Sequence, residues 1–245
     1  MVLGSMLNGI KSMEIQGMRL PLMSYAFQPI VDVQNDLDKP FRRRIYGYEA
    51  LMRPKGYTPE ELINLYRQSG GLHVLELATF YNAMLEFRCS RKESSQLFIN
   101  SFPSESLTDP EQEIITDVFP DIFPGLTIEI LEDDSFDPEA IRKKLQLREM
   151  YGTKLAIDDF ETGTNNMDMV RLVLPDFVKI DRRFISGVDT DVKKQDALNR
   201  MIENVKIYDA QVIAEGVETA GEYAYLEGLG TVDYVQGFYT GRPEM

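Results

Sequence analysis

The sequence predicts an α/β protein, a TIM-like (β/α)8 barrel whose first strand runs antiparallel to the others. Three observations carry that reading. Eight short apolar stretches of strand character recur along the chain, most of them separated by helical stretches. The first two are joined by a polar, proline-containing connection too short for a crossover helix, so they must pair as an antiparallel hairpin. A chain of 245 residues with 43% apolar side chains also suits one large domain with a full core. Strand counting does not close a sheet by itself, and a doubly wound open sheet is the alternative.

Taken in order, residues 1–20 lack a signal-peptide core and cleavage site and are read as a leader or linker remnant, with the barrel domain spanning 21–245. Tyr25 to Val33 and Arg44 to Arg53 are the first two strands, joined by QNDLDKPFRR. Thr58, Pro59, Glu60 and Glu61 form an N-cap, first-turn proline and acidic first turn, opening a helix through Arg67. A second helix from about Leu72 to Arg91 carries a broad apolar stripe, Leu72, Leu75, Leu77, Phe80, Met84 and Phe87, which is packing surface. Gln96 to Phe102 is the third strand, and Asp109-Pro110-Glu111 repeats the cap signature. Leu126 to Leu131 is the fourth strand, followed by Asp137-Pro138-Glu139 opening a helix that stops near Gly152. Lys154 to Asp159, Asp176 to Asp181, Gln211 to Val217 and Asp233 to Gly237 are the fifth to eighth strands, with Thr219 and Glu222 as a capping-box pair between the last two.

Composition narrows the function. Lys and Arg number 26 against 40 Asp and Glu, a net charge of −14, which argues against binding a nucleic-acid polymer through its backbone. An anionic ligand would need bridging cations. No apolar run is long enough to insert across a bilayer. The single Cys89 cannot form an internal disulfide, which suits a reducing cytoplasm and a structural thiol, and the single His73 makes neither a zinc site nor a triad.

The polar residues that interrupt apolar strands are the informative ones. Glu49, Asn100, Glu129, Asp158, Lys179 and Glu215 fall within or at the C-terminal part of successive strands, and a barrel gathers such positions at one rim. Alternation puts Glu49, Leu51 and Arg53 on one face of their strand, Ala156 with Asp158 on one face of theirs, and Lys179 with Asp181 on another, while Asp159 starts the following loop. Burying several carboxylates beside one lysine is costly unless they are paired or coordinated. All-oxygen ligands favour magnesium, manganese or calcium, and two such ions can cleave a phosphodiester. The alternative is an ion-pair network that only closes the barrel end.

YGYEALMR at Tyr46 to Arg53, with EILE at Glu129, DDF at Asp158 and AEGVET at Ala214, resembles the signature motifs of the EAL family, cyclic di-GMP phosphodiesterases built on a barrel with one reversed strand. The resemblance runs from FQPIV at Phe27 to GFYTGRP ending at Pro243. Between them lie YGYEALMR at Tyr46 to Arg53, IN at Ile99, EILE at Glu129, DDF at Asp158, VKID at Val178, AEGVET at Ala214 and VQG at Val235. It implies two Mg²⁺ or Mn²⁺ ions held by Glu49, Asn100, Glu129, Asp158, Asp159 and Glu215. Lys179 and Glu215 are implied in catalysis, with Lys179 orienting the attacking water. Gln28, Leu51, Arg53, Asp181 and Gln236 are implied in holding substrate, and Glu132, Asp181 and Glu218 in supporting the ligands. The implied reaction opens one phosphodiester of cyclic di-GMP to give linear pGpG. The implied assembly is a cytoplasmic homodimer, controlled by a protein partner or by a sensory domain outside this stretch.

Three departures from the family pattern stand out. The loop after Asp158-Asp159 reads DDFETGTNN where the family has DDFGTGYSS, so Glu161 replaces a glycine able to adopt φ > 0. Phe102 stands where a serine is common, and Leu131 replaces the threonine of ELTE. A receptor that binds cyclic di-GMP without turnover and signals through a partner is the rival reading. A barrel enzyme acting on carboxylate substrates is the third.

Overall fold

The computed structural model describes residues 12–15, 18–34, 41, 44–90, 92, 95–133, 135–161 and 164–245. Ser12–Ile15 (β1) and Met18–Pro21 (β2) pair as a small antiparallel sheet, so the described part of the stretch read as a leader is paired strand. Most of the connection between the first two barrel strands lies outside the described residues.

Eight strands close the barrel: Ser24–Asp32 (β3), Ile45–Arg53 (β4), Gln96–Ser101 (β5), Leu126–Ile130 (β6), Lys154–Phe160 (β7), Phe177–Ile180 (β8), Gln211–Ala214 (β9) and Tyr234–Gln236 (β10). β3 is antiparallel to both of its neighbours, β4 and β10, and the other pairs are parallel. Closure excludes the open doubly wound sheet. β9 ends at Ala214, earlier than the run to Val217 predicts, so Glu215 lies just beyond its strand.

The helices are Pro59–Gln68 (α1), Leu72–Cys89 (α2), Asp109–Val118 (α3), Pro138–Tyr151 (α4), Met167–Val173 (α5), Arg182–Ile185 (α6), Val192–Lys206 (α7) and Ala220–Leu229 (α8). Their starts follow local chemistry. Thr58 with Glu61 and Thr219 with Glu222 close capping boxes, and Asp137 caps α4. At α3 the cap is Thr108 rather than Asp109, because Thr108 forms the reciprocal pair with Glu111 and Asp109 already lies in the first turn. Gly152 ends α4 in the left-handed region at φ 75°. Cys89, expected as a structural thiol, is exposed at the last residue of α2. Among the described residues no helix is long and apolar enough to cross a membrane.

Two packed regions result. The larger fills the space between barrel wall and helices; the smaller plugs the barrel's N-terminal end with Ile30, Phe98, Ala156, Phe177, Ile213 and Tyr234, against which Tyr46 packs. Tyr46 joins them because β4 bulges there: Ile30 pairs with Gly47 and Val31 with Ile45, leaving Tyr46 as the extra residue. Its ring lies 4.4 Å from that of Tyr234 and its hydroxyl accepts from Lys154 at 2.7 Å. Gly47 makes room for the plug, since a Cβ there would sit 2.9 Å from the Phe98 ring.

Candidate active site

Strand alternation builds the site directly on the plug. Two residues toward the C-terminal rim from each plug position, the barrel interior changes from apolar to polar. Phe98 is followed by Asn100, Ala156 by Asp158, Phe177 by Lys179, Ile213 by Glu215 and Tyr234 by Gln236, and on reversed β3 Ile30 is preceded by Gln28; at two positions outside the plug, Thr127 of β6 is followed by Glu129 and Gly47 of β4 by Glu49. Each barrel strand, or for β9 the residue just beyond it, therefore delivers one polar side chain to a single layer above a buried, largely aromatic floor.

Lys179 is the hub of that layer. Its Nζ lies 2.7 Å from Glu215, 2.9 Å from Glu129, 2.9 Å from Asp158 and 3.3 Å from Glu49. Glu49 is the second hub: its carboxylate accepts from the Asn100 amide at 3.0 Å and from the Gln236 amide at 2.7 Å. Gln236 also donates to Gln28 at 3.3 Å, and Gln28 donates to the Gly241 carbonyl at 3.2 Å.

One ammonium does not balance the carboxylates. Burial works to lower the Lys179 pKa, but Asp158, Glu129, Glu215 and Glu49 outweigh it and hold the group well above the ordinary lysine value. Glu49 is lowered, because Lys179 and the amides of Gln236 and Asn100 together overcome its burial. Glu129 and Glu215 are pushed well above the usual carboxylate range by burial, with neighbouring carboxylates adding to it against Lys179. Asp158 is raised for the same reasons, and burial with Asp158 and Asp181 nearby lifts Asp159 to about 6.

The layer fits a divalent cation. Oxygens of Asp158, Asp159 and Glu215 lie within 4.8 Å of one another, close enough to share an ion. Glu129 Oε2 and Asn100 Oδ1 are buried with no hydrogen-bond donor in the protein, which hard oxygen-seeking ions would satisfy. Asp159 reaches the cluster because β7 continues to Phe160 through a register slip after Ile157, with Asp159 itself at φ 46°. It belongs to an irregular strand end, where the sequence had placed the start of a loop.

The remaining predicted residues lie around this layer. Asp181 caps α6, pairs with the Arg183 guanidinium at 2.9 Å and faces Asp159. Leu51 and Arg53 line a cleft of about 170 Å³ with Asn100, Phe102 and Leu131; Arg53 also borders a larger cleft of about 480 Å³ with Lys55 and Tyr57. Glu132 lines a shallow depression with Arg67, Asp133 and Ser135. Glu218 is outside the layer and accepts from Arg182 at 2.8 Å.

Two residues that the sequence did not single out for a role hold the site's loops. The fully buried Asn165 donates to the backbone carbonyls of Asp158 at 2.6 Å and Ile130 at 3.0 Å, tying the loop after β7 to two strand ends. Arg182 donates to the Gly216 carbonyl as well as to Glu218, gripping the loop that carries Glu215. Asn165 stood out only as part of the loop that departs from the family pattern, and Arg182 not at all, since a polar residue reads alike whether solvated or bonded to a loop. Glu161, the departure from glycine, adopts the left-handed conformation at φ 61°. The loop keeps the glycine-like backbone there, held by Glu161 N–H to the Asn165 carbonyl at 2.7 Å and by Arg183 to the Glu161 carbonyl at 3.0 Å. Thr162 and Gly163 lie outside the described residues.

Residues 16–243 match the EAL domain. The chain is 38% identical over 115 residues to the cyclic di-GMP phosphodiesterase TpdA of Vibrio parahaemolyticus, covering 46% of this chain and 20% of that protein. It is 27% identical over 230 residues to the probable cyclic di-GMP phosphodiesterase PdeN of Escherichia coli, covering 89% of this chain and 43% of that protein. The chain thus spans less than half the length of either relative. Its fold matches BlrP1 of Klebsiella pneumoniae, solved as a manganese and cyclic di-GMP complex, with a TM-score of 0.74 at 22% identity over 96% of this chain and 58% of that one.

Proposed function

This chain belongs to the EAL domain family, and on that premise we propose that its barrel, residues 21–245, is a metal-dependent phosphodiesterase that opens cyclic di-GMP to linear pGpG. The observation that carries this reading is the polar layer: Glu49, Glu129, Asp158 and Glu215 contact one lysine at the C-terminal mouth of the barrel, with Asn100 bonded to Glu49 and Asp159 beside Asp158 and Glu215. Related proteins named as cyclic di-GMP phosphodiesterases, and a similar fold solved with manganese and the dinucleotide, support it.

Those six residues would hold two Mg²⁺ or Mn²⁺ ions. When bound, the ions supply a nucleophilic water at neutral pH and offset charge on the departing oxygen. Lys179 keeps its charge among the carboxylates and so places a fixed cation beside the phosphate. Glu215, in contact with Lys179, orients that ammonium. Arg53, whose guanidinium here donates to the Met52 carbonyl, would clamp a phosphate through its planar fork, and the amides of Gln28 and Gln236 would offer hydrogen bonds to guanine or phosphate. The buried apolar floor under the layer is a low-dielectric neighbour that would strengthen each of these interactions.

The same reading includes a cytoplasmic homodimer and control by a protein partner or an attached sensory domain. Exposed Phe136 and Leu172, which border one cleft beside the loop after β7, supply apolar surface for a dimer. The receptor reading draws on Glu161, whose left-handed backbone is strained where a glycine would not be.

Purified protein incubated with cyclic di-GMP and Mg²⁺ or Mn²⁺, followed by product separation and a binding titration in EDTA or Ca²⁺, separates the readings. Metal-dependent pGpG establishes the phosphodiesterase. Binding without product assigns the receptor, and neither binding nor turnover refutes both.

A further inference from the structure

Glu76 of α2 and Lys144 of α4 are buried to 1% and 2% exposure, yet both lie outside the barrel mouth. Lys144 Nζ is 3.9 Å from Glu76 Oε1, too far for a hydrogen bond. Both groups instead spend their hydrogen bonds on the chain that leaves β5. Glu76 accepts from the Ser101 hydroxyl and from the Phe102 N–H at 3.1 Å. Lys144 donates to the Phe102 carbonyl at 3.0 Å and to the Glu105 carbonyl. The Glu105 N–H closes the same turn on the Phe102 carbonyl at 3.1 Å.

Burial opposes both charges, pushing the Glu76 carboxyl up and the Lys144 ammonium down. A buried pair of this kind is a weak source of net stability, and its better-attested use is to select one geometry. The geometry selected here is that of the residues next to Asn100. Ser101 points to the opposite side of β5 from Asn100, so gripping Ser101 and Phe102 from outside sets the direction of the Asn100 side chain inside. That side chain donates to Glu49 at 3.0 Å while its own Oδ1 is buried without a donor.

We propose that Glu76 and Lys144 are positioning residues of the metal centre: they lock the turn from Ser101 to Glu105 so that Asn100 faces Glu49 and offers its carbonyl oxygen to a cation. The proposal rests on the two-metal reading of the barrel mouth and extends the site to two helices outside the barrel wall.

Three variants of the full chain test it: Glu76→Gln, Lys144→Met, and the double variant Glu76→Met/Lys144→Met. Mn²⁺ titration followed by electron paramagnetic resonance, the NMR position of the Asn100 side-chain amide, kinetics and thermal unfolding are the readouts. Each single variant is expected to weaken Mn²⁺ binding about 10-fold or more, to shift the Asn100 amide, and to lower kcat with KM changed by less than about two-fold. In the double variant, apolar replacement restores the unfolding temperature but not the Mn²⁺ affinity. Parent-like Mn²⁺ affinity and an unmoved Asn100 amide in the double variant would overturn the proposal. If that variant does not fold, Glu76→Gln, which keeps the side-chain volume, carries the same readouts. If the parent protein binds no Mn²⁺, the two-metal reading fails, and the Asn100 amide alone decides: displacement supports the positioning role and an unmoved signal overturns it.

Discussion

The Lys179 ammonium lies 2.7 Å from a carboxylate oxygen of Glu215, the first residue beyond the end of β9. The contact joins adjacent strands at the barrel mouth and brings the loop carrying Glu215 into the carboxylate layer. Lys179 also reaches Glu129, Asp158 and Glu49, so one side chain organises contributions from four other strands or strand ends.

Lys179→Ala removes that centre and leaves the carboxylates buried beside one another. Loss of one partner from a buried ionic cluster costs about 3–5 kcal/mol. The metal-free variant should unfold at lower urea concentration, with Mn²⁺ recovering much of the loss because the proposed ligands remain. Turnover should fall about 100-fold or more. Parent-like turnover in pure protein would rule out the role given to Lys179.

Glu49→Ala acts on the other hub. It removes a proposed ligand together with the acceptor for the Asn100 and Gln236 amides. Mn²⁺ affinity measured calorimetrically should drop more than about 100-fold, beyond the range of outer supporting residues, and pGpG formation should disappear. Undiminished Mn²⁺ binding would move the metal site elsewhere.

Glu161→Gly relieves a non-glycine residue at φ 61°. Releasing left-handed strain, less the added freedom of glycine in the unfolded chain, should stabilise by about 1 kcal/mol, or raise Tm by roughly 2–4 °C. Activity should be unchanged or higher, since the loop backbone already has the glycine-like shape. A lower Tm would show that the Glu161 side chain makes compensating contacts.

Asn165→Ala leaves the carbonyls of Asp158 and Ile130 without their shared donor. Removing one partner of buried hydrogen bonds costs about 1–3 kcal/mol. Because one of those carbonyls belongs to Asp158, Mn²⁺ affinity should weaken as well. Urea unfolding and metal titration of the same sample check both, and a stability loss with unaltered metal binding would confine Asn165 to scaffolding.

His73 predicts a pH dependence away from the candidate active site. Its hydrogen bond to Glu111, helped by Glu105 and Glu76, raises its folded-state pKa against burial. Protonated His73 therefore stabilises the fold fully below about pH 6.5, the unfolded value, and the contribution is lost as pH rises through the higher folded value. Glu111 is lowered, its bonds from His73 and Thr108 overcoming burial, so its contribution is lost only as pH falls through its depressed pKa. Comparing Tm of the parent and His73→Gln between about pH 6 and 8, the parent should lose more stability on the alkaline side. Parallel Tm profiles would exclude the linkage.

Most of the barrel was legible because its signals are local. Apolar runs such as Leu126–Ile130, caps such as Thr58 with Glu61, and the short link from the first strand to the second depend on neighbours in sequence. The polar residues of the layer were legible for the same reason: Asn100, Glu129 and Lys179 interrupt runs that are otherwise apolar, and strand alternation turns them to one side.

By itself, then, the sequence determined eight strands, the reversal of the first and the set of acids and amides at one rim, since periodicity and turn length encode these locally. Only the tertiary structure decided which of them meet. It put Lys179 among four carboxylates, sent Glu218 outward to Arg182, bent β7 so that Asp159 reaches Glu215, and buried Asn165, Glu76 and Lys144 where they hold strand ends. Those outcomes depend on barrel closure and register, which bring together residues that are mostly tens of positions apart in sequence, as with Lys179 and Glu215, and no local pattern encodes such a partner.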